Sequence, residues 1–431
     1  MRRQCGEFRV SELADALQVR RKLRFLKTFA FQAVFLVALI LLASAEGWAK
    51  PTATSVRIAE HADKTRFVID LSENVSYRMF TLQDPYRVVV DLPEIDWNIS
   101  AKGLRTAKGV ISNYRYGLFI PGTSRLVIDA TGPVKIKKAF VLPPSGTKTH
   151  RFVVDLAKTS VAEFSKDMKS AGARLSPPAA NQPVPTVPNM KIVPAERPKN
   201  TKKVIVIDPG HGGVDPGATS VSGRYEKHLT LKVARQMKKT LESTGRYKVV
   251  LTRNRDIFIR LRDRVNLARQ ANADLFISIH ADTIKNRKIR GASVYTLSEK
   301  ASDKEAADLA ERENKSDVIA GIDLTHESEE VTNILIDLAQ RETMNQSARF
   351  ASTLVDEFKQ KLKVLRRSHR FAGFAVLKAP DIPSVLVELG FLSNRSDDKN
   401  LHNPEHHVRL ATSLQSAIDA YFTRLAKLQI Q

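Results

Sequence analysis

Cysteine is nearly missing from this chain of 431 residues: the single thiol, Cys5, stands at the extreme N-terminus. No disulfide framework can form, and any metal site must be built from His, Asp or Glu, which removes zinc fingers and zinc ribbons. Long apolar runs are also scarce. The best candidate, Phe29 to Leu42, is shorter than the about 20 residues that a spanning helix needs. Acidic residues are outnumbered, 46 against 69 Lys and Arg, for a formal net charge of +23. That imbalance points to an anionic partner such as nucleic acid, anionic lipid or a charged wall polymer. The chain is otherwise globular in composition, with 42% hydrophobic and 27% charged residues, and long enough for two or three domains.

The N-terminus reads as a leader over residues 1–49. A basic stretch, Arg20-Arg21-Lys22-Leu23-Arg24, precedes the short apolar run, and Ala43-Ser44-Ala45 and Ala49 offer small-residue cleavage sites. Cleavage near Ala45 or Ala49 places the mature chain in the periplasm, with no membrane span left after processing. The Arg20-Arg21 pair is compatible with twin-arginine export as well as the general route. Export argues against a nucleic-acid partner.

Between residues 52 and 160 one phrase recurs. Arg66-Phe67-Val68-Ile69-Asp70 is echoed by Arg87-Val88-Val89-Val90-Asp91, Arg125-Leu126-Val127-Ile128-Asp129 and Arg151-Phe152-Val153-Val154-Asp155. Each copy is a short β run entered by arginine and left through aspartate, with turn signals such as Pro121-Gly122 between copies. The pattern predicts a small all-β sandwich with duplicated halves and cross-strand Arg–Asp pairs. His61 and His150 are isolated, and no catalytic constellation occurs here. The segment resembles the AMIN domain, which implies a module that binds peptidoglycan and targets an enzyme to the division site.

Residues 170–201 are proline-rich, from Pro177-Pro178 to Pro198, and read as an extended tether. From 202 to 427 strands and helices alternate, which predicts an α/β catalytic domain with a mixed sheet flanked by helices. The expected strands are Val204–Asp208, Tyr247–Thr252, Asp274–His280, Ala292–Leu297 and Ser384–Leu389. The expected helices are Glu226–Ser243, Leu261–Ala271, Ser347–Leu362 and one from about Pro404.

The chemistry gathers at strand ends. Val204-Ile205-Val206-Ile207 runs into Asp208-Pro209-Gly210-His211, and Phe276-Ile277-Ser278-Ile279 into His280. Val385-Leu386-Val387 runs into Glu388, and Glu226 opens a helix. In open α/β sheets ligands bind at that edge. Two histidines and a carboxylate suffice for a zinc shell with a position left for water. The set His211, Glu226 and His280 meets that need, and Glu388 is the carboxylate available as general base. His228 competes with Glu226 but points about 200° away on the same helix. His406 and His407 read as solvated residues of the last helix.

Asp208-Pro209-Gly210-His211-Gly212-Gly213, Asp215-Pro216-Gly217-Ala218, Glu226, Ser278-Ile279-His280-Ala281-Asp282 and Val387-Glu388-Leu389-Gly390-Phe391 resemble, in order, the motifs of the zinc-dependent N-acetylmuramoyl-L-alanine amidases. The resemblance implies one Zn²⁺ held by His211, Glu226 and His280, with Glu388 catalytic. It implies hydrolysis of the amide between N-acetylmuramic acid and L-alanine of peptidoglycan, in wall remodelling and daughter-cell separation. A silent wall-binding scaffold and a zinc peptidase acting on wall cross-links are the alternatives.

Residues of about 300–345 interrupt the alternation. Glu305 to Asp317 is charged with Leu309 on a thin apolar face, and Val331, Ile334, Leu335 and Leu338 follow at helical spacing. Division amidases of this kind carry an inserted helix over the zinc until an activator withdraws it. On the pattern alone the insertion is either two surface helices packed on the core or a lid; the resemblance implies the lid and autoinhibition, with Glu313 or Glu311 in the water's place, and an activator partner of the LytM type.

Overall fold

The computed structural model of the chain describes residues 50–99, 107–146, 149–174, 202–322 and 334–428. The expected leader and most of the expected linker lie outside them. Residues 170–174, where the linker is expected to begin, complete a helix, Val161–Arg174 (α1). Among the described residues no helix is long and apolar enough to cross a membrane.

The first part is all β. Its strands are Thr52–His61 (β1), Lys64–Leu71 (β2), Arg78–Leu82 (β3), Arg87–Pro93 (β4), Asp96–Trp97 (β5), Ile111–Ile120 (β6), Thr123–Ala130 (β7), Val134–Leu142 (β8) and His150–Lys158 (β9). They form two sheets, ordered β5-β1-β2-β9-β8 and β3-β4-β7-β6. Strand β2 alternates strictly, burying Thr65, Phe67, Ile69 and Leu71 on one face, as a half-covered strand must. These pack against Val88, Val90, Leu126, Ile128, Phe152 and Val154 from the other repeats. The run Val88-Val89-Val90 does not alternate, because Val89 and Val127 face the other way into a second apolar cluster with Val214, Phe258 and Ala320. The second sheet is therefore covered on both faces.

The recurrent phrase has a register explanation. The four copies are the paired strands β2/β9 and β4/β7. Antiparallel pairing sets Arg66 opposite Asp155 and Asp70 opposite Arg151 in one sheet, and Arg87 opposite Asp129 and Asp91 opposite Arg125 in the other. Two of these register pairs close as ion pairs, Arg66–Asp155 at 2.7 Å and Arg125–Asp91 at 2.6 Å. The other two aspartates take neighbours instead, Asp70 with Arg57 and Asp129 with Arg115.

Asp155 is buried and is bonded by Arg66 and Lys64. Arg66 foremost, with Lys64 beside it and against the opposing effect of burial, holds its carboxyl down at about 2, below the ordinary 3.8. A depressed folded-state pKa stabilises the fold above the unfolded value, and that contribution is lost as pH falls through the folded one. The sandwich should therefore lose melting temperature as pH drops from about 4 toward 2. Asp155→Asn should melt lower at neutral pH and lose less across that window, as followed by thermal unfolding at each pH; an unchanged acid slope in the variant would count against the pair.

The second part is an α/β layer structure. Strands Lys203–Pro209 (β10), Tyr247–Leu251 (β11), Leu275–His280 (β12), Ala292–Leu297 (β13), Val364–Ala372 (β14) and Ser384–Glu388 (β15) form one sheet, ordered β11-β10-β12-β15-β13-β14. Its pairs are parallel except β13 with β15. Helices Glu226–Ser243 (α2) and Leu261–Gln270 (α3) follow β10 and β11. The insertion forms Lys304–Asn314 (α4) and the short Ser316–Ile319 (α5). Ile334–Lys361 (α6), Arg395–Leu401 (α7) and Pro404–Leu428 (α8) complete the described helices. The sequence separates an insertion helix on Val331, Ile334, Leu335 and Leu338 from a later one at Ser347–Leu362; Val331 lies outside the described residues, and from Ile334 onward the structure runs both as the single helix α6. No glycine or proline lies between them to break it.

The core sits on the α2, α6 and α8 side of the sheet, where Ile205, Ile207, Ile277, Val385 and Val387 meet Val233, Met237, Phe350, Leu354, Leu414 and Ile418. The opposite face carries Val206, Phe276 and Leu386 under α4 residues Ala306, Leu309 and Ala310. The central strands are thus buried on both sides, which is why β10, β12 and β15 read as unbroken apolar runs.

Candidate metal centre

Three adjacent parallel strands bring the site together. The register sets Pro209 beside Ile279 and His280 beside Glu388, so β10, β12 and β15 end level. His211 follows β10 with φ of 61°, a left-handed conformation rarely adopted by a residue with a side chain and costing about 1–3 kcal/mol unless its surroundings impose it. Two buried arginines do so. Arg264 donates to Asp208 Oδ1 at 2.8 Å, Pro209 O at 3.0 Å and His211 O at 2.9 Å. Arg253 spans Pro209 O at 3.0 Å and the carbonyls of Gly210 and Lys227 at 2.8 Å. Gly210 is required by proximity: a Cβ there would lie 2.3 Å from the His280 ring.

Glu226, the first residue of α2, is fully buried. Its Oε2 lies 3.1 Å from His211 Nε2 and its Oε1 lies 3.3 Å from His280 Nδ1. The same oxygens accept from the backbone N–H groups of Ala218 at 2.9 Å and Ala281 at 2.7 Å. Helix α4 adds Glu313, whose Oε2 is 3.5 Å from His211 Nε2 and 3.0 Å from His280 Nδ1. Ligand atoms of His211, His280 and Glu313 all lie within 4.8 Å of one another. His211 Nε2 and His280 Nδ1 are buried and make no well-formed hydrogen bond, although carboxylates surround them.

The electrostatics favour a cation at this point. Burial alone would push both imidazoles down. For His280, Glu313 and Glu226 outweigh it and hold the ring up at about 10. For His211, the charges of Glu226, Asp215 and Glu313 do the same and hold it well above its ordinary value. Two imidazole nitrogens and carboxylate oxygens are also the donor types zinc takes where thiolates are lacking. The residues present fit a zinc ion on both counts.

Behind His211 stands Asp215, which sequence reasoning did not single out. Its Oδ2 is 2.9 Å from His211 Nδ1 and accepts from Ser316 Oγ at 2.5 Å. A carboxylate on the far nitrogen fixes the tautomer and turns the Nε2 lone pair inward. The available signal was an acid four residues after the histidine, within the quoted Asp-Pro-Gly-Ala turn. Arg253 and Arg264 left no signal of that kind, because most of their bonds go to backbone carbonyls and the side chains they meet, Thr230 and Asp208, are more than twenty residues away in sequence.

Glu388 is fully buried at the end of β15. Its Oε2 accepts from the Asp282 N–H at 3.0 Å, and its Oε1 is buried without a hydrogen-bond partner. Burial first, then the neighbouring charges of Glu226, Asp282 and Glu313, push its carboxyl well above the ordinary range, with His280 opposing. Asp282 is itself pushed up to about 6 by burial and by Glu313 and Glu226, against Arg312.

The other candidates separate. Glu311 lies on the outer side of α4, with its side chain 66% exposed and bonded to Lys315 at 2.6 Å, while Glu313 is buried in the cluster. His228 is half exposed, 3.9 Å from Asp256. His407, expected to be solvated, is buried instead, with its Nε2 2.5 Å from the Leu401 carbonyl. The turn between α7 and α8 leaves that carbonyl at a helix end, and the ring meets it.

The family model described as N-acetylmuramoyl-L-alanine amidase matches residues 205–420, and the AMIN domain model matches residues 55–156. The chain is 34% identical over 381 residues to N-acetylmuramoyl-L-alanine amidase AmiC of Escherichia coli O6:H1, a match covering 85% of this chain and 89% of that one. AmiC of Neisseria meningitidis serogroup B is 34% identical over 394 residues, 90% of this chain and 94% of its own. AmiA of Escherichia coli K12 is 39% identical over 230 residues, 53% of this chain and 79% of its own. With the α/β sheet, the strand-end cluster and matches along nearly its whole length, the chain belongs to the N-acetylmuramoyl-L-alanine amidase family, with an AMIN domain ahead of the enzyme.

Proposed function

We propose that this chain hydrolyses the amide between N-acetylmuramic acid and L-alanine in peptidoglycan, after export to the periplasm, with a single zinc ion held by His211, Glu226 and His280. The observation that carries the reading is the convergence of two buried imidazole nitrogens and Glu226 at the ends of adjacent strands, with the unpartnered oxygen of Glu388 nearby. Zinc, when bound, supplies polarisation of a carbonyl and acidification of a water. Glu226 is kept anionic by the imidazoles against its burial, and the Ala218 and Ala281 amides orient both its oxygens. Asp215 holds His211 in the ligating tautomer. Glu388 accepts the proton of the attacking water and passes it to the amine nitrogen of L-alanine as the C–N bond breaks. A groove of about 1540 Å³ that reaches the cluster's edge at Thr283 and Arg312 carries Arg224, Lys285, Arg287, Arg395 and Lys399, with Glu305, Asp308 and Asp398 among them; its excess of basic residues suits the carboxylates of a stem peptide.

The same reading makes the described arrangement a self-blocked one. A catalytic zinc site keeps one position open, whereas a site with four protein ligands is closed. Glu313 lies nearer to His280 than Glu226 does, 3.0 against 3.3 Å, and only somewhat farther from His211, 3.5 against 3.1 Å, so it is the residue that would fill the water's position. An activator of the LytM type would then act by withdrawing α4, and the AMIN domain would hold the enzyme on peptidoglycan.

The mature protein is expected to bind about one zinc per chain, and His211→Ala and His280→Ala to lose it, as measured by atomic absorption after dialysis. Mass spectrometry of digested wall should find stem peptides with a free N-terminal L-alanine. Fragments opened at peptide cross-links instead would sink the amidase assignment.

A further inference from the structure

Two of the recurrent arginines of the β sandwich, Arg87 and Arg125, together with Arg115 of β6, have a use that neither the register pairs nor wall binding requires. Helix α5 is a single turn, so its last carbonyls lack i+4 donors within it, although Val318 O accepts from the Gly321 N–H at 3.0 Å. Arg87 donates to Val318 O, Arg115 Nε donates to Ile319 O at 2.6 Å, and Arg125 donates to Ala320 O at 3.3 Å and Gly321 O at 3.1 Å. Three guanidinium groups from β4, β6 and β7 thus gather on the carbonyls at the carboxyl end of α5 and just after it. Two are held ready for it. Arg115 is gripped by both oxygens of Asp129, leaving its Nε for Ile319. Arg125 is gripped by both oxygens of Asp91 and lies 3.5 Å over the Phe119 ring.

Apolar packing lies under these bonds. Ala320 is buried with Leu82, Val89 and Val127 of the sandwich and with Val214 and Phe258 of the enzyme. Gly321 has φ of 73°, and a Cβ there would come within 3.1 Å of Val89 and Val127. Only two residues separate Glu313 from α5, and Ser316 at its start is bonded to Asp215. The segment of the insertion fixed to the sandwich therefore directly follows the helix end that carries the carboxylate on the two histidines.

We propose that the arginine-bearing sheet β3-β4-β7-β6 is a docking face for residues 316–322, and that this contact locks Glu313 in the metal site. The sandwich then has a regulatory role in addition to targeting: whatever shifts it from α5 loosens the block. This proposal rests on the self-blocked reading given above. The test uses the full mature chain with zinc and a soluble muramoyl-peptide, so that wall targeting does not enter. Arg115→Ala weakens the contact from the sandwich side; Gly321→Val weakens it from the insertion side with the sandwich untouched. Each should raise the initial rate about tenfold, equivalent to ~1.4 kcal/mol, and each should speed hydrogen exchange of the amides in 316–322. Glu313→Ala is the reference. If it raises the rate while Arg115→Ala and Gly321→Val, both folded by thermal unfolding, match wild type in rate and exchange, the docking proposal is overturned alone. If Glu313→Ala leaves the rate unchanged, the self-blocked reading falls and takes the proposal with it.

Discussion

Glu388→Ala is expected to reduce kcat by roughly 100- to 10,000-fold, the range for loss of a positioned acid–base group, while zinc content stays at the wild-type level. The retention follows from geometry. Glu388 hydrogen-bonds the Asp282 amide and leaves the other oxygen free, whereas Glu226 and Glu313 are the carboxylates against the imidazoles. Glu388→Gln sharpens the test, because an amide can still accept from Asp282 N–H but cannot take a proton. It should be as inactive as the alanine variant. The wild-type rate should also fall as pH drops through the raised Glu388 pKa, since burial and the nearby carboxylates favour its protonated form and a protonated carboxyl is no base. Residual activity within about threefold of wild type in either variant, measured as kcat against pH alongside metal content, would rule out its role as base.

Much of this arrangement is legible in the sequence because local pattern and tertiary position agree. Val204–Ile207, Phe276–Ile279 and Val385–Val387 read as buried strands, and the residues that end them lie at one sheet edge because the strands are adjacent, parallel and level. The Arg-to-Asp phrase is readable for the same reason, since antiparallel register brings each arginine opposite an aspartate. What escapes is set by long-range contact. Strand β14 reads Val364-Leu365-Arg366-Arg367-Ser368-His369-Arg370, too charged to resemble a strand, and it is made one by pairing with β13. Arg370 is nearly buried within it because Asp303, the N-cap of α4, meets its guanidinium. Asp215 and the two buried arginines behind the metal loop likewise depend on contacts across the fold. So does the clasp of Arg115 and Arg125 on α5, about two hundred residues away.

Glu313→Ala is expected to raise the basal rate at least about tenfold, equivalent to ~1.4 kcal/mol, with zinc retained by His211, Glu226 and His280, whereas Glu311→Ala should leave it within about twofold. The two glutamates differ by two residues on one helix, hence by about 200° of rotation, and that alone separates their environments. Glu313 is buried beside both imidazoles, while Glu311 is exposed and makes an i,i+4 surface pair with Lys315, a contact worth only tenths of a kcal/mol. Truncating Glu313 removes the carboxylate next to the metal but keeps α4 held by Asp303 at its N-cap, by Arg312 on Asp282 at 2.7 Å and by Asn314 on Gly373 O at 2.8 Å. The gain should therefore be smaller than that from deleting residues 302–341, in which the whole insertion leaves the groove. A graded series, with wild type and Glu311→Ala at the bottom, Glu313→Ala in the middle and the deletion at the top, is the signature of a carboxylate plug carried on a removable helix. Equal rates in all four chains, each shown folded and loaded with zinc, would mean that α4 merely covers the sheet.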